Sequence, residues 1–336
     1  MTTIKDVAMR AGVSPSTVSR ALANSSNVKP ETRDRILRAV KELNYTPNAL
    51  ARSLRSRRSK TFGVMIPDIA NPFFAELVKA IEASARKYGY NVVLCNSEND
   101  KRREIAYLAL MREKQVDGLI FTTAGDLAEA INSFQKDSRI PVVLVDREIE
   151  GLTADTVVSD GRAGAIDAVR FLIAQGHSKI GCLRGPTHLP TSKHRAEGFV
   201  TAMNDSGLEV VPGWVLNCDF SLESGFEAGM RLAKMSGLPS AVFAVNDLAA
   251  IGFMQALESS GIKVPDDISV VGFDDVPLSR LVKPKLTTVA QPVRRMGEVA
   301  VKLLLQRISG RGRQVKRVVL PTELIIRESV RTVSGS

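Results

Sequence analysis

The chain has 336 residues, of which 44% are hydrophobic and 24% charged, the balance of a globular protein with two or three domains. It holds no run of about 18 apolar residues and no apolar leader, so neither a membrane span nor secretion is expected, and the cytoplasm is the expected location. Cys95, Cys182 and Cys218 stand far apart without CxxC spacing. They give no sign of a disulfide framework or a zinc site and read as small core residues; no metal or cofactor is expected. Residues 1–60 hold thirteen Lys and Arg against four Asp and Glu, a net +9 of the chain's +10, which leaves +1 for the other 276 residues. A basic segment on a near-neutral body is the electrostatic footprint of a polyanion binder.

Within that segment Thr3 and Asp6 form a capping-box pattern that opens a first helix, with Val7, Ala8 and Ala11 to bury and Gly12 as its stop. Ser14 is a good N-cap and Pro15 suits the first position of a second helix, where a missing N–H costs nothing. Val18, Ala21 and Leu22 fall on one side of it, and Pro15, Ser16, Ser19 and Arg20 on the other. A third helix is expected from about Pro30 to Leu43, with Ile36, Leu37, Val40 and Leu43 buried and Arg33, Arg35, Arg38 and Lys41 toward solvent. Three short helices with a tight glycine turn make a helix-turn-helix, whose second helix enters the major groove. Pro15 and Ser16 then meet base edges, Arg20 donates to guanine or phosphate, and Thr17 and Ser19 reach phosphate oxygens. After Pro47, Asn48 caps one or two helical turns ending near Leu54, a helix too short to be stable alone, followed by a basic linker.

From Thr61 the pattern changes to short apolar runs alternating with amphipathic helices. FGVMI, NVVLC, GLIF and PVVLV come first, and TVVS, KIGCL, AVFAV and ISVVGF repeat the theme after Asp155. Helices are expected near 73–88, 104–113, 163–175, 195–206, 248–259 and 293–308, and last strands near 315–320 and 324–327. Alternation of this kind builds parallel sheets flanked by helices, here in two similar lobes. Ligands of such sheets bind beyond the carboxyl ends of the strands. The residues there are Asp68, Asn71, Phe73 and Phe74 after FGVMI, Asp146 and Arg147 after PVVLV, Asn246 and Asp247 after AVFAV, and Asp274 and Asp275 after VVGF. Aromatic faces among carboxylates, amides and arginines suit a polyhydroxylated ligand, each hydroxyl being donor and acceptor and each ring face apolar. Asp146, Asp247 and Asp275 also read as caps of following loops and helices. His177, His188 and His194 lack metal-ligand spacing and read as surface or loop residues. No GxGxxG follows the first strand, and neither GxxxxGK[ST] nor GxSxG occurs, so nothing marks an enzyme.

KDVAMRAGVSPSTVSRAL, followed by KELNYTPNALARSLRS, resembles the DNA-binding and hinge segments of the LacI/GalR family of bacterial repressors, and the resemblance runs through nearly the whole chain. It implies an all-α helix-turn-helix domain over 1–46, a hinge helix and linker over 47–60, and a periplasmic-binding-protein-like α/β body over 61–329. The lobes of that body would be 61–160 with 290–318 and 161–289 with 319–329, ahead of a tail at 330–336. The implied DNA contacts are Thr3, Ser14, Pro15, Ser16, Thr17, Ser19, Arg20, Asn27, Asn48, Ala51, Leu54 and Arg55, with Leu54 levering into the minor groove of operator DNA as an apolar wedge. NPFF, VDR, HRAEGF, DF, ND, GFDD and the Gln of TTVAQP resemble ligand-contact motifs. They imply a pocket of Asn71, Phe73, Phe74, Asp146, Arg147, Arg195, Phe220, Asn246, Asp274 and Gln291, similar to that of ribose-binding proteins. Asp160-Gly161 departs from the family's Asp-Asn and removes one amide. The expectation is a repressor acting as a homodimer and controlled by a small sugar, as inducer or corepressor; no leucine-heptad tail follows Arg331.

Overall fold

The computed structural model describes residues 2–22, 27–45, 58–123, 125, 127–312 and 314–333. The chain divides into two compact units, Met1–Ser59 and Lys60–Ser336.

The first unit is built from α1 (Ile4–Ala11), α2 (Pro15–Leu22) and α3 (Pro30–Glu42). Thr3 and Asp6 close a reciprocal capping box at the start of α1, and Gly12 ends that helix at φ 60, the left-handed region that glycine enters without strain. Val7, Ala8, Ala11, Val18, Ala21, Ile36 and Ala39 form the core, and an Arg10–Glu42 ion pair of 2.8 Å ties α1 to α3. Leu37 corrects the expected stripe: it is 47% exposed, and Ala39 takes the inward position. Successive helical residues turn by about 100°, so a face centred on Ile36 and Ala39 carries Leu37 off to the side. Arg33, expected toward solvent, is half-buried.

In the second unit the first sheet has strand order β11-β5-β4-β3-β1-β2, from β1 (Thr61–Ile66), β2 (Asn91–Asn96), β3 (Gly118–Phe121), β4 (Val142–Val145), β5 (Asp155–Ser159) and β11 (Arg317–Leu320). The second has order β12-β10-β9-β8-β6-β7, from β6 (Ile180–Arg184), β7 (Val215–Asn217), β8 (Ala241–Ala244), β9 (Ser269–Asp274), β10 (Thr287–Ala290) and β12 (Glu323–Ile325). The pairings are parallel except β10 with β12. Alternate residues of one strand feed opposite faces: Val64 and Ile66 join the core under α4 (Pro72–Lys87), while Met65 joins Met111 and Phe121 on the other side. The chain passes between the sheets after β5, after β10 and between β11 and β12. α5 (Lys101–Glu113) and α6 (Ala128–Ser138) also belong to the first lobe, and α11 (Val293–Ile308) returns to lie on α4. Gly297 permits that approach, since a Cβ there would stand 2.8 Å from the Ala80 Cβ.

α7 (Gly161–Ala174), α8 (Pro190–Asp205), α9 (Leu222–Leu232) and α10 (Asp247–Ser259) complete the second lobe. α6, α9, β7 and β10 were not among the expected elements. α9 reads poorly as a helix because Gly225 and Gly229 interrupt it, yet both glycines let it close on α10: a Cβ at Gly225 would stand 2.2 Å from the Ala249 carbonyl oxygen. His177, expected at the surface or in a loop, lies in the loop after α7 but is buried. It is buried between Ser240 Oγ (2.9 Å) and the Arg331 carbonyl (3.1 Å), because residues past Ser329 fold back over the end of α7, where Val333 N–H donates to the Gln175 carbonyl at 2.7 Å. Cys95 and Cys182 are buried and Cys218 is half-buried. No described helix is long and apolar enough to cross a membrane.

Candidate functional site

In the first unit the turn after Gly12 delivers Ser14 as the cap of α2. Its Oγ accepts the Thr17 N–H at 3.2 Å and lies 2.7 Å from Ser16 Oγ and 2.9 Å from Thr17 Oγ1. Val18 and Ala21 turn into the core, so Pro15, Ser16, Ser19 and Arg20 remain on the outer side with Arg20 exposed. Arg20 Nε donates to the Ser16 carbonyl at 3.3 Å, which lays the guanidinium back along the helix face. Thr3 is exposed at the head of α1, and Asn27 lies in the turn before α3. Small hydroxyl residues at the N-terminus of a helix that carries one arginine in its last turn let a backbone approach base edges while N–H groups face phosphate. Asn48, Ala51, Leu54 and Arg55 lie outside the described residues.

In the second unit the strand ends converge. Asn71 caps α4 by accepting the Phe73 N–H at 3.0 Å, which fixes the start of a helix whose first turn carries Phe73 and Phe74 after Pro72. Those two rings meet edge to face at 5.1 Å between centroids. Asp146 and Arg147 follow β4, Arg195 comes from α8, Phe220 precedes α9, Asn246 caps α10, Asp274 ends β9 and Gln291 follows β10. The Asp146 and Asp274 backbones stand at φ 69 and 119, conformations that non-glycine residues adopt only when their surroundings hold them there.

Contacts link these residues into one cluster. Arg147 Nη1 donates to the Thr123 carbonyl at 2.6 Å, its Nε lies 3.8 Å from Asp146, and its guanidinium carbon is 5.7 Å from the Phe74 ring and 5.9 Å from the Phe220 ring. Arg195 lies over the Phe273 ring at 3.8 Å, donates to the Val245 carbonyl at 2.7 Å and pairs with Asp274 at 3.3 Å. Gln291 donates to Asp274 at 2.8 Å and accepts from Ser159. Asn246 donates to the Phe220 carbonyl at 3.0 Å. All of them except Phe220 are buried. Yet Arg147 Nε and Arg195 Nε have no hydrogen-bond acceptor among the described residues. A groove of about 700 Å³ opens beside the cluster, lined by Phe73, Asp274 and Gln291 together with Pro72, Glu76 and Arg280, while the other seven expected residues do not line it.

Burial dominates the electrostatics. It pushes the Asp274 carboxyl up to about 6 against the pull of Arg195 and Gln291, and raises Asp146 against Arg147 and Arg195. Asp247 is raised well above the usual range by burial and by Asp274, and is held by Thr288 Oγ1 and the Val276 N–H. Asp275 accepts from Ser279, Arg280 and Arg327, a loop-fastening role. Sequence reasoning missed Thr123, Ser159 and Glu104. Thr123 and Ser159 stand at the ends of β3 and β5, where the strand-end rule already pointed; Glu104, fully buried and in reach of Ser97 and Thr123 hydroxyls, carried no such signal.

A helix-turn-helix unit joined to a two-lobed parallel-sheet body with a buried polar cluster between the strand ends defines a DNA-binding regulator that carries its own ligand-binding domain. Residues 3–48 match bacterial regulatory proteins of the lacI family, and residues 169–330 match the periplasmic binding protein-like domain. The HTH-type transcriptional repressor PurR of Photobacterium profundum is 36% identical over 99% of this chain and 100% of its own. Among solved structures, the lac repressor dimer bound to operator and the anti-inducer ONPF aligns at TM-score 0.88 and 29% identity, over 98% of this chain and 99% of that one. A LacI family transcriptional regulator from Enterococcus faecium with bound ribose aligns at TM-score 0.74 and 31% identity, over 82% of this chain and all of that one. The chain belongs to the lacI family and is a DNA-binding transcriptional repressor with a ligand-binding body.

Proposed function

We propose that the chain represses transcription as a homodimer on a pseudo-palindromic operator and that a small uncharged sugar, ribose in the first instance, binds between the lobes and lowers operator affinity. The DNA-contact set is Thr3, Ser14, Pro15, Ser16, Thr17, Ser19, Arg20 and Asn27, extended by Asn48, Ala51, Leu54 and Arg55 of the hinge. The domain limits are those given above, with the unit boundary near residue 60. The effector set is Asn71, Phe73, Phe74, Asp146, Arg147, Arg195, Phe220, Asn246, Asp274 and Gln291.

The observation that carries the effector reading is the pair of acceptor-less N–H groups, Arg147 Nε and Arg195 Nε, beside Asp146 and Asp274. A buried donor left unmade costs about 1–3 kcal/mol, and ligand oxygens that accept from both recover it, while the ligand's own hydroxyls donate to the carboxylates. Phe74 and Phe220 flank Arg147 and offer apolar faces to a ring. The ribose-bound Enterococcus faecium regulator supports the choice of first ligand. Closure of the lobes on the sugar that separated paired hinge segments would lower operator affinity by the difference in sugar affinity between the two states. Calorimetric titration of the full chain with pentoses and hexoses, with operator binding measured alongside, tests this; micromolar binding of a hexose with none of ribose would refute the ligand, and no sugar binding at all would refute the site.

A further inference from the structure

A second cavity, of about 490 Å³, lies in the second lobe beside α8 and shares no lining residue with the groove at the cleft. Cys182 and Val215 from β6 and β7 and Ala196, Phe199 and Val200 from α8 give it an apolar floor, and Val200 is 41% exposed there. Arg162, Arg184 and Lys193 stand around it, with Glu197 as the carboxylate of the lining.

None of these cations is ion-paired among the described residues. Arg162 Nη2 donates to Thr201 Oγ1 at 3.0 Å, and Arg184 donates through Nε and Nη2 to Asn217 Oδ1 at 3.1 and 2.8 Å, both neutral acceptors. Lys193 makes no ion pair with Glu197 one turn further along α8, whereas Arg170 of α7 pairs with Asp205 at 3.1 Å elsewhere on the same two helices. Ser192 belongs to the cavity wall, is 1% exposed, and its Oγ has no hydrogen-bond partner among the described residues. Three cations around one apolar floor, bonded only to neutral groups or free of ion pairs, describe a receptor for an acceptor-rich anion. The volume suits a small molecule.

We propose that this cavity binds a small organic anion, a phosphate or carboxylate carried on an apolar body, separately from the sugar at the cleft. The charged end lies against Arg162, Arg184 and Lys193, and the body covers Cys182, Phe199, Val200 and Val215. Phenyl phosphate is a suitable probe for calorimetric titration of the full chain, with phenol and inorganic phosphate as single-feature controls. Phenyl phosphate should bind more tightly than either control. Arg184→Gln and Lys193→Gln should each weaken it by about tenfold, the loss of one charge-assisted contact, with unchanged thermal unfolding. Asp274→Asn, at the cleft, should leave it unaltered. The proposal is overturned if phenyl phosphate does not bind, if either control binds as tightly, if the two cation variants bind it like the parent, or if Asp274→Asn abolishes binding.

Discussion

Arg195 and Asp274 face each other at 3.3 Å with both side chains about 5% exposed, and Gln291 holds the same carboxylate oxygen at 2.8 Å. The aspartate ends a strand and the arginine comes from a helix across the lobe, so the pair exists only when β9 and α8 are both in place. Removing one partner of a buried pair leaves the other charge uncompensated, at a cost of about 3–5 kcal/mol. Asp274→Ala should therefore lower the unfolding free energy of the body by that order and abolish the response to sugar, while operator binding without sugar is unchanged. Denaturant unfolding and operator titration with and without ribose check both halves; a variant that still releases DNA normally would remove Asp274 from the site.

The same carboxyl predicts a pH dependence. Its value in the folded protein is about 6, raised by burial, against about 4 in an unfolded chain. Between those values the folded protein keeps a proton that the unfolded chain has released. The resulting stabilisation is fully present below about pH 4 and is lost as pH rises through about 6, a span of roughly 3 kcal/mol. Relative to Asp274→Asn, the parent protein should lose stability from pH 4 to 6.5, with groups that do not interact with Asp274 cancelling in the difference. Sugar affinity should rise across the same window, because only the carboxylate accepts two hydroxyls. Parallel pH profiles for the two proteins would contradict the assignment.

How much of this could be read from the residues differs by level. Runs such as FGVMI and AVFAV are buried on both faces of their sheets, and that burial makes parallel strands legible as unbroken apolar runs. Strand-end residues were equally legible because fold class alone says where they point. α9 was not, since the contact between Gly225 and Ala249 that stabilises it joins segments far apart in sequence. Glu104 reads as an ordinary acid in a first helical turn. Only the arrival of Ser97 and Thr123 hydroxyls from other segments turns it into a buried charge. The burial of His177 was illegible for the same reason, its partners being Ser240 and the Arg331 carbonyl.

DNA binding through the first unit predicts a steep salt dependence, because each neutralised phosphate releases counterions. The fragment from Thr61 onward should not bind operator. Arg20→Ala should cost about 1–3 kcal/mol on operator and much less on random DNA if the guanidinium bonds a guanine edge, and the same on both if it meets phosphate. The exposed, helix-aligned guanidinium beside Pro15 and Ser16 leads us to expect the first outcome. Binding titrations of the variant on both DNAs over a range of salt decide it.

Charge in the cleft predicts which sugars are rejected. Arg147 and Arg195 bring two positive charges, and Asp146, Asp274 and the buried Glu104 bring three carboxylates around them, Glu104 acting directly on Arg147. Arg147 and Arg195 each already face a carboxylate, which leaves the site without an excess of positive charge. A phosphate dianion would enter a low-dielectric space where, among the described residues, Arg147 and Arg195 are already engaged by carboxylates, and like-charge contacts there cost far more than in water. An uncharged sugar meets no such penalty and supplies the oxygens that Arg147 Nε and Arg195 Nε lack. Ribose 5-phosphate should therefore bind at least about a hundredfold more weakly than ribose, a difference of roughly 2.7 kcal/mol. Asp146→Asn, which removes one of the three carboxylates, should narrow the gap. Competition calorimetry with the two ligands measures it directly, and equal affinity would mean that the phosphate reaches solvent or that the cluster does not bind the sugar.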